Sequence, residues 1–266
     1  MTSSAPTPSS AGQGAAPTPG RRTVDAPIRM FHALFALTLF GAYITAESDG
    51  LRAVHVTLGY TMIGLLAFRL VYGIVGPPQA RLGVMLRKLG GVGAWLRSFA
   101  SSGTGAASPW RQGQNLLMAW LIVALLLLAI PLTLSGYGLY HGWRDVVGRW
   151  IKEVHEVLGN GVFALALAHI GVVLLLSILR KRNMPWTMVT GRIPGPGPDL
   201  VKQPRTWLAA LVLLGALGFA AWQWQQTPGG LLNPAANNES QKKRRDHGLA
   251  QTADQHHDKQ KDDDDD

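Results

Sequence analysis

The sequence predicts an all-α membrane protein: a four-helix transmembrane bundle with a fifth transmembrane helix after it. Three observations carry this. Apolar runs of about 20 residues, nearly free of charge, recur along the 266-residue chain, and each is long enough to cross a hydrocarbon core. The formal charge is +9, yet the basic residues gather in alternate connections between these runs. That pattern belongs to membrane topology rather than to a nucleic-acid-binding surface. Finally, lipid offers no partner to an open backbone, so such runs must be helices.

The elements follow in order. Residues 1–23 are rich in Ser, Ala, Thr, Pro and Gly and lack the apolar core of a signal peptide, so a disordered N-terminus is expected. Helices are expected at Ile28–Ala46, Leu51–Val75, Leu116–Leu139 and Val154–Leu179. The connection Arg81–Phe99 sets Leu82, Val84, Leu86, Leu89, Trp95 and Leu96 among basic residues, which suits a segment lying on the membrane surface. Trp207–Trp224 is shorter, carries no histidine or charge, and is flanked by tryptophans suited to the interface; it reads as an added anchor. The resulting domains are a bundle at 24–193, a linker and fifth helix at 194–232, and a charged tail at 233–266. That tail holds Lys242–Arg245 and ends in five aspartates, Asp262–Asp266, and disorder is expected there.

Lys and Arg set the orientation. Arg21 and Arg22 precede the first run. Arg81, Arg87, Lys88, Arg97 and Arg111 follow the second, with no acidic residue between Gly76 and Asn115. Arg180, Lys181, Arg182, Arg192, Lys202 and Arg205 follow the fourth. The other two connections mix Glu47, Asp49 and Arg52, then Arg144, Asp145, Arg149, Lys152 and Glu153. The N-terminus is therefore expected in the cytoplasm and the mixed connections outside. Lys242–Arg245 mildly opposes this, but lies far beyond the fifth run.

Cysteine is absent, which excludes disulfides, thiolate ligands and covalent c-type haem attachment. Eight histidines are present, and four lie in or at the ends of the runs. His155 and His169 are fourteen residues apart, about 21 Å along a helix, and fourteen steps of about 100° return nearly to the same face. Depth then pairs His32 with His169 near the cytoplasm, and His55 with His155 near the outer surface. Haem iron takes an imidazole on each side, so the pattern predicts two bis-histidine sites for two non-covalent haems. Gly59 and Gly159 each follow an outer histidine by four residues, in HVTLG and HEVLG, where a flat macrocycle can approach the helix. Arg69 interrupts an apolar run at the depth of the cytoplasmic pair, and Arg29 stands one turn before His32. Either could meet a haem propionate or snorkel to the interface. The four histidines could instead bond helix to helix, or serve a metal carrier. A carrier would want mid-membrane carboxylates, which the runs almost wholly lack.

At these residues the chain resembles the bacterial cytochrome b561 family, which includes the cytochrome b subunits of membrane-bound nickel–iron hydrogenases. The resembling stretches are PIRMFHALFALTLFGAYI, HVTLGYTMIGLLAFRLVYGIVGPPQARL and HEVLGNGVFALALAHIGVVLLLSILRKRNMPWTMVTGRI, within about 27–193. The resemblance implies a four-helix bundle in the bacterial inner membrane, two b-type haems, and His32, His55, His155 and His169 as their ligands. It implies membrane quinone as substrate and an extramembrane redox partner, a hydrogenase-like dehydrogenase or a cytochrome. The chain is then an electron-transfer subunit rather than a stand-alone enzyme. Some relatives suggest an alternative, superoxide:quinone oxidation at the outer face, to which Arg144, Arg149 and Lys152 could draw an anion. A non-redox membrane anchor or metal carrier is the third reading. Two departures stand out: Ala33 follows His32 where many members have tryptophan, and the fifth run and tail lie beyond the family core. His141, in the outward connection, suits either a quinone contact or an ordinary surface histidine.

Overall fold

The structure, a computed structural model, describes residues 20–101, 107–195 and 197–226. The expected charged tail at 233–266, with His247, His256 and His257, lies outside the described residues, as does most of the segment 1–23. Among the described residues the order is β1 (Arg21–Arg22), α1 (Ala26–Thr45), α2 (Arg52–Val75), α3 (Leu82–Leu89), α4 (Val92–Ser101) and α5 (Ala107–Tyr140). There follow α6 (Arg144–Val147), α7 (Trp150–Leu179), α8 (Met184–Thr190), β2 (Arg192–Ile193) and α9 (Thr206–Gln226). Among the described residues five helices, in α1, α2, α5, α7 and α9, are long and apolar enough to cross a membrane.

The helices begin and end where their residues dictate. Pro27 opens α1 in the first turn, where its missing N–H costs nothing. The α5 helix starts at Ala107, nine residues before the expected Leu116; the polar WRQGQN stretch continues the apolar helix rather than ending it. Pro131 lies within α5 and is tolerated in an apolar span whose neighbours and hydroxyls can satisfy freed groups. Thr45, Thr61, Thr133 and Ser135 all donate to carbonyls three or four residues back, so none brings an unpaired hydroxyl into the apolar layer. Outward faces carry exposed apolar residues such as Ile44, Ile74 and Ile178, as lipid contact requires.

Two hairpins form the bundle, α1 with α2 and α5 with α7, and α2 packs against α5 to join them. The core draws on all four helices: Leu39, Met62, Leu132, Val162 and Ala166, with Phe35, Leu125 and Leu158 against them. Its register is informative. Leu39 lies seven residues after His32, Met62 seven after His55, and Val162 seven from both His155 and His169. Seven residues span about 10 Å and return near the same face, so the apolar plug sits midway between two levels of histidine. Val162, fully buried at 0% exposure, is its centre.

The fifth helix is more than an added anchor. It packs along α1 and α2, with Ala209 and Gln223 buried. Its approach is tied to the chain's N-terminal end. β1 pairs antiparallel with β2, Arg21 opposite Ile193 and Arg22 opposite Arg192. The Arg22 carbonyl accepts from Leu200 and Val201, its N–H donates to Asp199 Oδ1 at 2.6 Å, and Ala26 N–H donates to the Pro204 carbonyl. Gly191 ends α8 at φ +73° and passes so near Val24 that a Cβ would stand 2.6 Å from its carbonyl oxygen. The glycine of the TGR motif is thus required by both handedness and space. The end holding this clasp is termed the basic end, and the other the distal end.

Candidate cofactor site

Four helix-borne imidazoles meet in two pairs. At the basic end the ring centroids of His32 on α1 and His169 on α7 lie 6.5 Å apart, tilted by 54°. At the distal end His55 on α2 and His155 on α7 lie 6.1 Å apart, at 85°. The antiparallel topology produces this directly: α1 and α2 each bring one histidine near their own N-termini, and α7 supplies one partner at each level. A metal–imidazole bond is about 2 Å and the ring centre lies about 1 Å behind its nitrogen, so two rings sharing one metal atom stand about 6 Å apart. Both separations fit.

The distal rings are oriented. Nδ1 of His55 lies 2.8 Å from the Ala42 carbonyl. The Ala46 N–H leaves that carbonyl for Tyr43 at the end of α1, so it serves the His55 ring and, at 3.2 Å, the Thr45 hydroxyl. Nδ1 of His155 lies 3.1 Å from the Leu132 carbonyl and 3.1 Å from Ser135 Oγ, whose own proton goes to the same carbonyl. A carbonyl only accepts, so each Nδ1 carries the proton and each Nε2 keeps its lone pair, the form a metal-binding imidazole needs. These contacts do bond helix to helix, but they use the nitrogen a metal would not. At the basic end the Nδ1 of His169 is buried without a partner.

Space for a flat ring is present beside the distal histidines. A Cβ on Gly59 would meet nothing within 4 Å, and one on Gly159 only Leu132 Cδ1 at 3.9 Å. No three histidines, aspartates or glutamates converge among the described residues, so the donor set is paired imidazole rather than the fuller cage of a divalent-cation site. The residues present fit haem.

The sequence model of the prokaryotic cytochrome b561 family matches residues 23–191. The chain belongs to this family. It is accordingly a multi-pass membrane protein of a haem b electron-transfer family. Searches of curated proteins and of solved structures return no match to the chain. The matched region of this cytochrome b561 ends at α8, so β2 and α9 extend beyond it.

The remaining candidates lie as follows. Arg29 Nη1 donates to the Val189 carbonyl at 2.5 Å, while its Nε is buried without a partner. Arg69 is 6% exposed and donates to the Ala80 carbonyl at 3.1 Å, within electrostatic reach of buried Asp25. Both arginines sit at the basic end. Lys152 pairs with Glu156 at 3.2 Å, both exposed, so this distal cation has a local counter-charge. His141 is bonded rather than loose: its Nε2 lies 2.8 Å from Tyr60 Oη.

Sequence reasoning missed Gly136 and Ser135. A Cβ on Gly136 would stand 2.9 Å from His155 Cε1, so this glycine makes room for the ring. Two small residues near the end of a leucine-rich run were the available signal, since small residues mark close approach in membrane helices. It also missed the buried Asp25, which accepts from Tyr72 Oη at 2.5 Å and ties α2 to the start of α1.

Proposed function

We propose that this cytochrome b561 carries electrons across the bilayer between membrane quinone and an extramembrane redox protein, a hydrogenase-like dehydrogenase or a cytochrome. Two haems b, each held by one histidine pair, serve the two surfaces, with the N-terminus in the cytoplasm. The observation that carries this reading is the presence of two imidazole pairs, 6.5 Å and 6.1 Å apart, at opposite ends of one bundle and sharing α7.

His32 and His169 would hold the haem at the basic end, and His55 and His155 the distal one. Bound haem supplies reversible one-electron chemistry at its iron. The protein's part is ligation, spacing and charge. Paired histidines leave no open iron position, which favours electron transfer over oxygen chemistry. The plug around Val162 keeps water out of the space between the sites. Gly59 and Gly159 leave room for the macrocycle, and Arg29 and Arg69 are placed to meet propionates at the basic end. Either arginine must turn from its present carbonyl to do so.

The purified full chain is expected to show a Soret band, a reducible α-band and haem near two per chain by pyridine haemochrome. A chain without those bands removes the reading. Haem content unchanged by His55→Ala would refute the distal site alone.

A further inference from the structure

A second side-chain cluster stands beside the distal pair. His141 follows α5 at an exposed position, with its Nε2 2.8 Å from Oη of Tyr60 on α2. Its ring centroid is 4.2 Å from Tyr137 and 5.5 Å from Tyr140. Tyr60 in turn stands 6.0 Å and 5.7 Å from those two rings. Three phenols and an imidazole thus converge where α2 packs on α5. Tyr137 and Tyr140 are each 37% exposed, so ring surface is open.

Tyr and Trp at a helix end ordinarily form an interfacial belt. Two features set this cluster apart. Tyr60 belongs to the span interior, five residues or about 7.5 Å past His55, and leans back toward the helix N-terminus to reach His141. The cluster is also continuous with the distal pair. Gly136, the residue before Tyr137, lies against the His155 ring. A proton-accepting pair therefore adjoins the backbone that touches a proposed ligand.

We propose that this seam binds the ring of a membrane hydroquinone and that Tyr60 and His141 take its protons. A protein donor delivers an electron without a proton and needs no base; a hydroquinone must lose both. The inference rests on the dihaem reading for its electron acceptors. In the Nδ1–H tautomer of His141, Tyr60 donates its hydroxyl proton to Nε2, and its oxygen is then free to accept the substrate's O–H. One substrate O–H bond breaks as a new O–H forms on Tyr60. The Tyr60 proton passes to His141 Nε2, and exposed His141 releases its Nδ1 proton to water. One electron leaves with each proton. Before the second step His141 takes a proton from water at Nδ1 and releases the one on Nε2, which restores the accepting tautomer. Two such steps turn hydroquinone into quinone, deliver two protons to the distal side and yield two electrons, for which the two haems, when bound, would be the acceptors. Tyr137 and Tyr140 offer faces on which a planar ring stacks.

The test uses the purified full chain with two probes: decylubiquinol as reductant and a photoreactive azidoquinone as label. Tyr60→Phe and His141→Gln are expected to keep the dithionite-reduced spectrum and to slow reduction by decylubiquinol by about a hundredfold, the usual worth of a positioned acid–base group. Tyr43→Phe, a hydroxyl bonded to Asn160 on the α1–α7 seam, is expected to reduce at the wild-type rate. The label is expected on the peptide containing Tyr137–Trp143. Rates within twofold of wild type in both seam variants, or label confined to the basic end, would overturn the proposal. Reduction by a redox protein alone would overturn it too. A wild-type chain lacking haem bands removes the dihaem reading instead, and the label, read on the polypeptide, still decides the site.

Discussion

The two histidine pairs share a helix and a spacing, but they are supported differently. The distal rings have their Nδ1 protons fixed on the Ala42 and Leu132 carbonyls, with Gly136 shaped to receive one of them. The basic pair has a buried, unpartnered Nδ1 on His169 instead. Around it the frame is tied together by the β1–β2 clasp, by the Tyr72 hydroxyl on the Asp25 carboxylate, and by Arg29 and Arg69 on the Val189 and Ala80 carbonyls. One pair is held through its own rings and the other through its frame. The difference teaches that equal ligand spacing does not mean equal ligand tuning, because an imidazole's donor strength depends on what its second nitrogen meets.

Removal of single ligands breaks this comparison most strongly. His155→Ala and His169→Ala should each halve the haem content. Added imidazole should separate them: at position 155 it finds the Leu132 carbonyl and Ser135 waiting for its N–H, so the distal haem should return at lower imidazole concentration. Equal rescue, followed by the Soret band, would erase the proposed contrast.

A smaller effect is expected from Gly136→Ala. The added Cβ falls 2.9 Å from His155 Cε1, too near for either to stay in place, and the ring must turn off Leu132. Loss of an orienting contact of this kind weakens a metal site by about 10–100-fold. Haem retention through gel filtration should fall at the distal site and hold at the basic one. Gly171→Ala, where a Cβ meets nothing within 4 Å, is the matched control and should behave as wild type.

Smaller again is the expected separation in potential. A histidine that donates Nδ1–H to a carbonyl is a more basic ligand and favours the oxidised metal. The distal haem should therefore titrate at the lower potential, and that transition should be the one missing in His155→Ala. If the higher transition disappears instead, the frame around the basic pair outweighs the ligand hydrogen bonds.

Much of this was legible in the residues. The five apolar helices and the pairing of the histidines follow from hydropathy and the helical rise, because a bilayer admits few alternatives. The helix α5 begins earlier than the apolar run predicts because polar residues at its start extend the same helix. What stayed hidden depends on contacts across helices. Nothing local marks the Ala42 or Leu132 carbonyl as an acceptor, since every residue has one. Tyr60 and His141 are 81 residues apart and meet only because α2 packs on α5. The clasp joins Arg22 to Asp199 across 177 residues, and only folding reveals that the fifth helix is packed into the bundle.

Ser135→Ala is the finest probe of the distal support. The His155 Nδ1 proton has two acceptors at equal distance, 3.1 Å to Ser135 Oγ and 3.1 Å to the Leu132 carbonyl. Alanine removes one and leaves the other, and also frees the carbonyl from the serine's own hydrogen bond at 2.9 Å. The remaining Nδ1–H to carbonyl bond should then strengthen, because the acceptor no longer serves two donors. The net change is expected below about 1 kcal/mol, the ordinary worth of one neutral hydrogen bond. Haem content should stay as in wild type, and the distal potential should move slightly lower. A rise in potential would mean that the serine, rather than the carbonyl, carries the tuning of His155. Loss of haem would mean that the serine holds the ring in place, a task assigned above to Leu132 and Gly136.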